Sequence, residues 1–416
     1  MTAINSGDTS FVLICSALVL LMTPALAFFY GGLVRRKNVL NTMMSSFMIV
    51  AVSSVMWVLV GYSMSFGPDV GGIVGNFSWF GMNGVGWDPN PDYAGTIPHL
   101  AFAIFQMMFA IITPALITGA VAERMRFPAL MLFTPLWLLS VYYPLAHMMW
   151  GKGGLLSALG AVDFAGGNVV HISSGVSALV LCLMLGKRKN HGKVKMVPHN
   201  VPFVLLGAGL LFFGWFGFNS GSALAANGLA AHAFMTTNTA GAMAMLSWMV
   251  LEIIVSGKPT ALGAATGLVV GLVAITPGAG FVPIWASLVI GLVVSPLCWF
   301  AVSFLKSRLG YDDALDAFGC HGIGGIWGGI ATGLFAQKAI NPVARFDGLV
   351  YGETGLIIAQ LKAIGLTIAL SLVATFVIVK VVSLVTRLRV TPREEADGLD
   401  GSQHGETAYP SFMGLD

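Results

Sequence analysis

Charge is what this chain has least of. Only 9% of its residues are Asp, Glu, Lys or Arg, against about 25% in an ordinary soluble domain. With 56% hydrophobic residues, a water-soluble fold of this length has too little polar surface to cover itself. Cysteine is scarcer still. Cys15, Cys182, Cys298 and Cys320 stand singly inside apolar runs, with no CxxC pair and no Cys/His cluster. That pattern offers neither a disulfide framework nor a zinc site. No nucleophile–base pair is visible either, so neither enzyme chemistry nor a cofactor is expected. Residues 1–10 lack the basic stretch of a cleavable signal peptide, so the first apolar run is expected to stay in the mature chain. The net charge of +3 forms no basic patch. Its cations lie in short segments between apolar runs, and no nucleic-acid partner is expected.

What the chain does have is long apolar runs and glycine. Its 52 glycines are well above an average share of about 7%, and small residues let membrane helices approach closely. Eleven runs are long enough to span a bilayer, which takes roughly 20 residues each: 10–34, 39–66, 97–121, 127–150, 169–186, 200–220, 232–256, 259–276, 283–306, 315–336 and 355–385. The expected fold is an all-α polytopic membrane protein of eleven transmembrane helices. The last run is the longest and must tilt or project. It also carries Lys362 well inside the run, whose stem can snorkel to an interface. Lys152, Lys338 and Arg345 are the only basic residues in one set of loops. The other set and the tail hold 17, among them Arg35, Arg124, Arg188, Lys195, Lys306 and Arg389. By the positive-inside rule the N-terminus is outside and the C-terminus cytoplasmic. The tail from Thr391 is polar and mostly charged, a composition that allows disorder.

A weak internal repeat runs through the apolar segments. Phe28-Phe29-Tyr30-Gly31-Gly32 in the first run resembles Phe212-Phe213-Gly214-Trp215-Phe216-Gly217 in the sixth. Asp163…His171 in the fifth resembles Asp316…His321 in the tenth. Five spans separate each pair. Five is odd, so the second unit is inverted relative to the first, with the substrate path expected between the halves. The repeats cover about 10–186 and 200–336, followed by helix 355–385 and a tail, 386–416.

Ionisable groups inside a membrane are expensive and mark function by default. His171 and His321 occupy equivalent places in the repeat, so their rings are expected to meet near mid-membrane. Each neutral ring offers one donor and one acceptor, a narrow polar strip in an apolar conduit. The plainer alternative is two satisfied core histidines holding helices together. Asp163, followed by Phe164-Ala165-Gly166-Gly167, reads as a cap on backbone N–H groups, and Asp316 as its structural counterpart. Phe105, Phe109, Trp150, Trp215, Phe218 and Ser222 gather near the ends of the third, fourth and sixth runs. Aromatic belts are ordinary there, but aromatic faces converging on a path would attract a cation by about 0.5–2 kcal/mol.

Several stretches then carry a family resemblance: Ala27-Phe28-Phe29-Tyr30-Gly31-Gly32-Leu33, Ala122-Glu123-Arg124-Met125-Arg126-Phe127, His147-Met148-Met149-Trp150-Gly151, Gly214-Trp215-Phe216-Gly217-Phe218-Asn219-Ser220-Gly221-Ser222 and Phe318-Gly319-Cys320-His321-Gly322. In this order they resemble the ammonium transporter (Amt/Mep/Rh) family, in its prokaryotic Amt branch, over essentially the whole chain. The resemblance implies transport of ammonium or methylammonium across the cell inner membrane. It implies an outer recruitment site at Phe109, Trp150 and Ser222, and a gate of Phe109 and Phe218. It implies a pore with His171 and His321, and a structural and electrostatic role for Asp163. It also implies a homotrimer with one pore per subunit and a PII-type regulatory protein at the cytoplasmic face. Two other classes stay open: an ammonium receptor with little flux, and a proton-coupled carrier of larger solutes.

Overall fold

The computed structural model describes residues 4–194 and 196–409. Lys195, counted above among the basic-loop residues, and 410–416 of the tail lie outside the described residues. Each of the eleven apolar runs forms a helix: α1 (Ser6–Leu33), α2 (39–66), α3 (His99–Val121), α4 (127–150), α5 (Gly167–Leu185), α6 (Val201–Gly221), α7 (Gly228–Ser256), α8 (Ala261–Ile275), α9 (Ile284–Leu309), α10 (318–335) and α11 (Gly355–Val385). Among the described residues, nine are long and apolar enough to cross a membrane. α8 and α10 fall outside that set. In lipid a helix satisfies its own backbone polar groups, which is why runs without a polar face become helices here. The one sheet among the described residues is a small hairpin after α2, β1 (Asp69–Val70) antiparallel to β2 (Val74–Gly75).

The bundle has an acidic end and a basic end. Asp69, Asp92, Asp347 and Glu353 mark the first, and Arg35, Arg124, Arg188 and Arg389 the second. α1 and α6 run antiparallel along a seam of glycines. A Cβ on Gly207 would stand 2.4 Å from the Phe29 nitrogen, and one on Gly217 would stand 2.6 Å from the Leu18 side chain. No other residue fits there, so the backbones touch.

α5 and α10 cross in the same way, and the crossing is reciprocal. A Cβ on Gly175 would stand 2.2 Å from the Gly322 nitrogen, while one on Gly325 would stand 3.0 Å from the Ile172 side chain. Gly175 and Gly325, like Ile172 and Gly322, are offset by the same 150 residues. Contact of i with j and of j′ with i′ is what a local twofold requires. Both helices also open with a wide turn of π type, Gly167–Ile172 and Phe318–Gly322, and each turn carries a histidine. Such widened turns concentrate at functional sites.

Two expectations need correction. The repeat counterpart of Asp163 is Asp313, not Asp316. Asp313 accepts hydrogen bonds from the Ala317 and Phe318 N–H groups at 3.0 and 2.7 Å, while Asp316, at φ 60°, receives the Lys306 ammonium at 2.7 Å. The tail is also ordered as far as Tyr409. A short helix, α12 (Pro392–Asp397), is closed by a Thr391/Glu394 capping box. Beyond it, Asp400 accepts from the Asn41 N–H, His404 packs on Phe127, and Tyr409 lies under the Arg36 guanidinium. Polar composition allowed disorder, but here the polar groups find partners on three helix ends.

Candidate functional site

α3, α4, α5, α6 and α10 bring the singled-out residues to one axis. Phe109 of α3 and Phe218 of α6 lie with ring centroids 4.4 Å apart, both buried. Trp150, at the end of α4, meets Phe109 edge to face at 6.0 Å, and its indole N–H donates to the Asp163 carbonyl at 2.8 Å. Ser222 stands one turn beyond Phe218. Its hydroxyl donates to the Phe218 carbonyl at 2.9 Å, which leaves its lone pairs free to accept.

On the other side of Phe218 the rings continue. His171 lies nearly parallel to Phe218 (6.1 Å), Trp215 (5.5 Å) and His321 (5.4 Å). Trp215 is held by an N–H bond to the Thr276 hydroxyl at 3.0 Å. Both ring nitrogens of His171 and Nδ1 of His321 are buried without a protein hydrogen-bond partner. A buried polar atom left so costs about 1–3 kcal/mol, so these rings are not satisfied core histidines.

A cavity of about 460 Å³ runs from this point to the basic end. Phe218, Trp215 and His171 line its closed side. Leu26, Tyr30, Leu116, Val269 and His321 line its apolar middle, and Arg188, His191, Lys306 and Asp316 line its far mouth. α6 shows the order along the axis: Leu211, Trp215 and Phe218 face the cavity, while Ser222 lies past it. The Phe109/Phe218 pair thus separates the cavity from the Trp150 and Ser222 side.

Asp163 fixes the geometry from behind. Its carboxylate accepts from the N–H groups of Gly166, Gly167, Asn168 and Val169 at 2.8, 2.6, 2.7 and 3.4 Å. It caps the very turn that carries His171, a helix N-terminus that favours negative charge. At the far mouth Asp312 is buried. Burial alone would raise its carboxyl pKa, but the Arg188 hydrogen bonds and charge, with Arg124 behind, outweigh that and hold it well below the usual carboxylate range. Thr276, Tyr30 and Asp313 were given no role from the sequence. Asp313 could have been found from the eight-residue spacing to its histidine, which matches Asp163 and His171. Thr276 and Tyr30 carry no such signal.

A polytopic helical membrane protein with an enclosed, mostly apolar path closed by aromatic rings and centred on two imidazoles is the class this geometry defines. The chain belongs to the ammonium transporter family, whose model matches residues 10–409. It is 54% identical over 407 residues to an ammonium transporter of Bacillus subtilis, covering 98% of this chain and 99% of that one. A crystal structure of Mep2 from Saccharomyces cerevisiae superposes with TM-score 0.89 at 36% identity, covering 99% and 93% of the two chains. A structure described as a sensor Amt protein gives 0.87 at 29% identity, covering 96% and 98%.

Proposed function

We propose that the protein carries ammonium across the cell inner membrane, with all eleven helices crossing it, the acidic end and N-terminus outside, and the C-terminus cytoplasmic. The 17-to-3 asymmetry of Lys and Arg supports that orientation. The membrane domain is 1–385 and the cytoplasmic tail 386–416. Residues 10–186 and 200–336 are the two inverted repeats. The protein is not an enzyme.

A bare ion pays several kcal/mol to enter an apolar path, even after relaxation. The site divides that problem. Ammonium is recruited among Phe109, Trp150 and Ser222, where aromatic faces attract it by about 0.5–2 kcal/mol and the Ser222 lone pairs accept one N–H. Asp163 adds negative potential close by. At the Phe109/Phe218 gate the ion gives up its proton, either to water on the Trp150 and Ser222 side or to the His171 imidazole behind Phe218. Neutral ammonia then passes the apolar cavity, hydrogen-bonding to His171 and His321 on its way. The stacked imidazoles also offer a route for the proton. A current under an ammonium pulse is the mark of such a relay, and electroneutral uptake excludes it. The single observation that carries the reading is this imidazole pair, unpartnered by protein at the head of an otherwise apolar cavity.

The family resemblance supports a homotrimer with one pore per subunit. The basic end, with its docked tail, is where a PII-type protein would bind. The likeness to a sensor Amt structure favours one second reading, a receptor with little flux. Purified protein in liposomes separates the two. The transport reading expects saturable methylammonium uptake, and ammonium binding without uptake would contradict it.

A further inference from the structure

Buried side chains near the Trp150 end of the path include one that the transport scheme leaves unused. His147 lies three residues before Trp150 on α4, on nearly the same helix face, and is fully buried. Its Nδ1 is 3.0 Å from the Ser65 carbonyl oxygen, and its Nε2 is 2.9 Å from Oδ1 of Asp69. The ring therefore bridges the Ser65 carbonyl and the Asp69 carboxyl group, one through each nitrogen.

Asp69 is itself fixed. The same Oδ1 accepts from the Gly72 N–H at 2.7 Å across the β1/β2 hairpin, and Gly72 in turn accepts from the Leu155 N–H at 2.8 Å. Gly153 leaves the space Asp69 occupies: a Cβ there would stand 3.0 Å from the Asp69 Cβ. So one bridging imidazole, with the Asp69 carboxyl group, ties three segments together: the end of α2 with its hairpin, the last turn of α4, and the loop after it. Trp150 sits between two anchors. Its indole is held by the Asp163 carbonyl, and its backbone turn by His147.

We infer that the His147–Asp69 pair is a clasp that positions Trp150 against Phe109, so that its loss weakens capture of ammonium rather than its passage. The inference rests on the recruitment reading given above. Neither residue touches the substrate. Both are positioning residues, acting through Trp150.

The test is methylammonium uptake by reconstituted D69N, H147N, H147Q and W150L, with rates taken per folded transporter. H147N keeps a donor where Nδ1 stood and faces Ser65. H147Q keeps a donor where Nε2 stood and faces Asp69. D69N and H147N are expected to raise the half-saturation concentration about two- to thirtyfold, the range that a cation–π contact spans when its ring is displaced, with maximal rate within about twofold of the parent. H147Q is expected to fall nearer the parent, because the tie to Asp69 persists. A clasp that only holds the fold together would lower the folded yield and leave half-saturation unchanged in D69N, H147N and H147Q, and that result overturns the inference. If W150L raises half-saturation while D69N, H147N and H147Q do not, the clasp alone falls. If W150L is also silent, the recruitment site falls and takes the clasp with it.

Discussion

Eight residues separate Asp163 from His171, and eight separate Asp313 from His321. In each case a carboxylate caps the first turn of a helix, and the histidine lies in that same wide turn. The two aspartates are unequal. Asp163 accepts four backbone N–H bonds and Asp313 two. Losing a charged cap costs about 1–3 kcal/mol per unmet group, without strict additivity. D163N is therefore expected to lower the melting temperature of the detergent-solubilised protein more than D313N does; equal shifts would contradict the unequal capping. The histidines were legible because ionisable groups are so rare inside these runs. Asp313 was passed over despite its matching eight-residue spacing to His321, because three aspartates crowd residues 312–316 and composition does not tell which one turns toward the helix. The Lys306 ammonium decides it by holding Asp316 away.

At the scale of helices, boundaries were readable where the apolar run alone sets them, and shifted where a cap or a left-handed glycine does. α11 begins and ends where its run does, 355–385. α7 starts four residues before its apolar run because the Asn227 side chain caps the Ala230 N–H. α9 extends past its run to Leu309 and stops at Gly310, which takes a left-handed φ of 67°. The tail was not readable. Its partners, Arg36, Asn38, Asn41 and Phe127, lie hundreds of residues away in sequence, and no local pattern announces them. The α5/α10 crossing gives the sharpest expectation at this scale. Val at Gly175 places its Cβ against the Gly322 backbone, which cannot yield as a flexible side chain would. G175V is expected to cost about 3 kcal/mol or more, seen as lost yield and a lowered melting temperature. A parent-like melting curve would mean the helices do not touch there.

For the molecule as a whole, orientation and path are the two claims. All four native cysteines are buried, so labelling of introduced ones has little background. A cysteine in place of the exposed Trp87, on the acidic-end loop before α3, is expected to react with an impermeant maleimide on intact cells. One in place of Gly401, in the tail, should react only after permeabilisation. The reverse pattern would invert the topology and move the recruitment site to the cytoplasm. The inverted repeat was legible as a weak echo between runs 1 and 6 and runs 5 and 10. The reciprocal Gly175/Gly322 and Gly325/Ile172 contacts add a local twofold between α5 and α10, which only three dimensions supply.

The proposed transport depends on His171 and His321 as the polar centre of the path. Methylammonium uptake by liposomes holding equal amounts of folded parent and H171A protein tests it most directly. The expected result is uptake lowered about tenfold or more, or altered selectivity among small cations, in H171A. Unchanged uptake and selectivity would place the conduction path elsewhere.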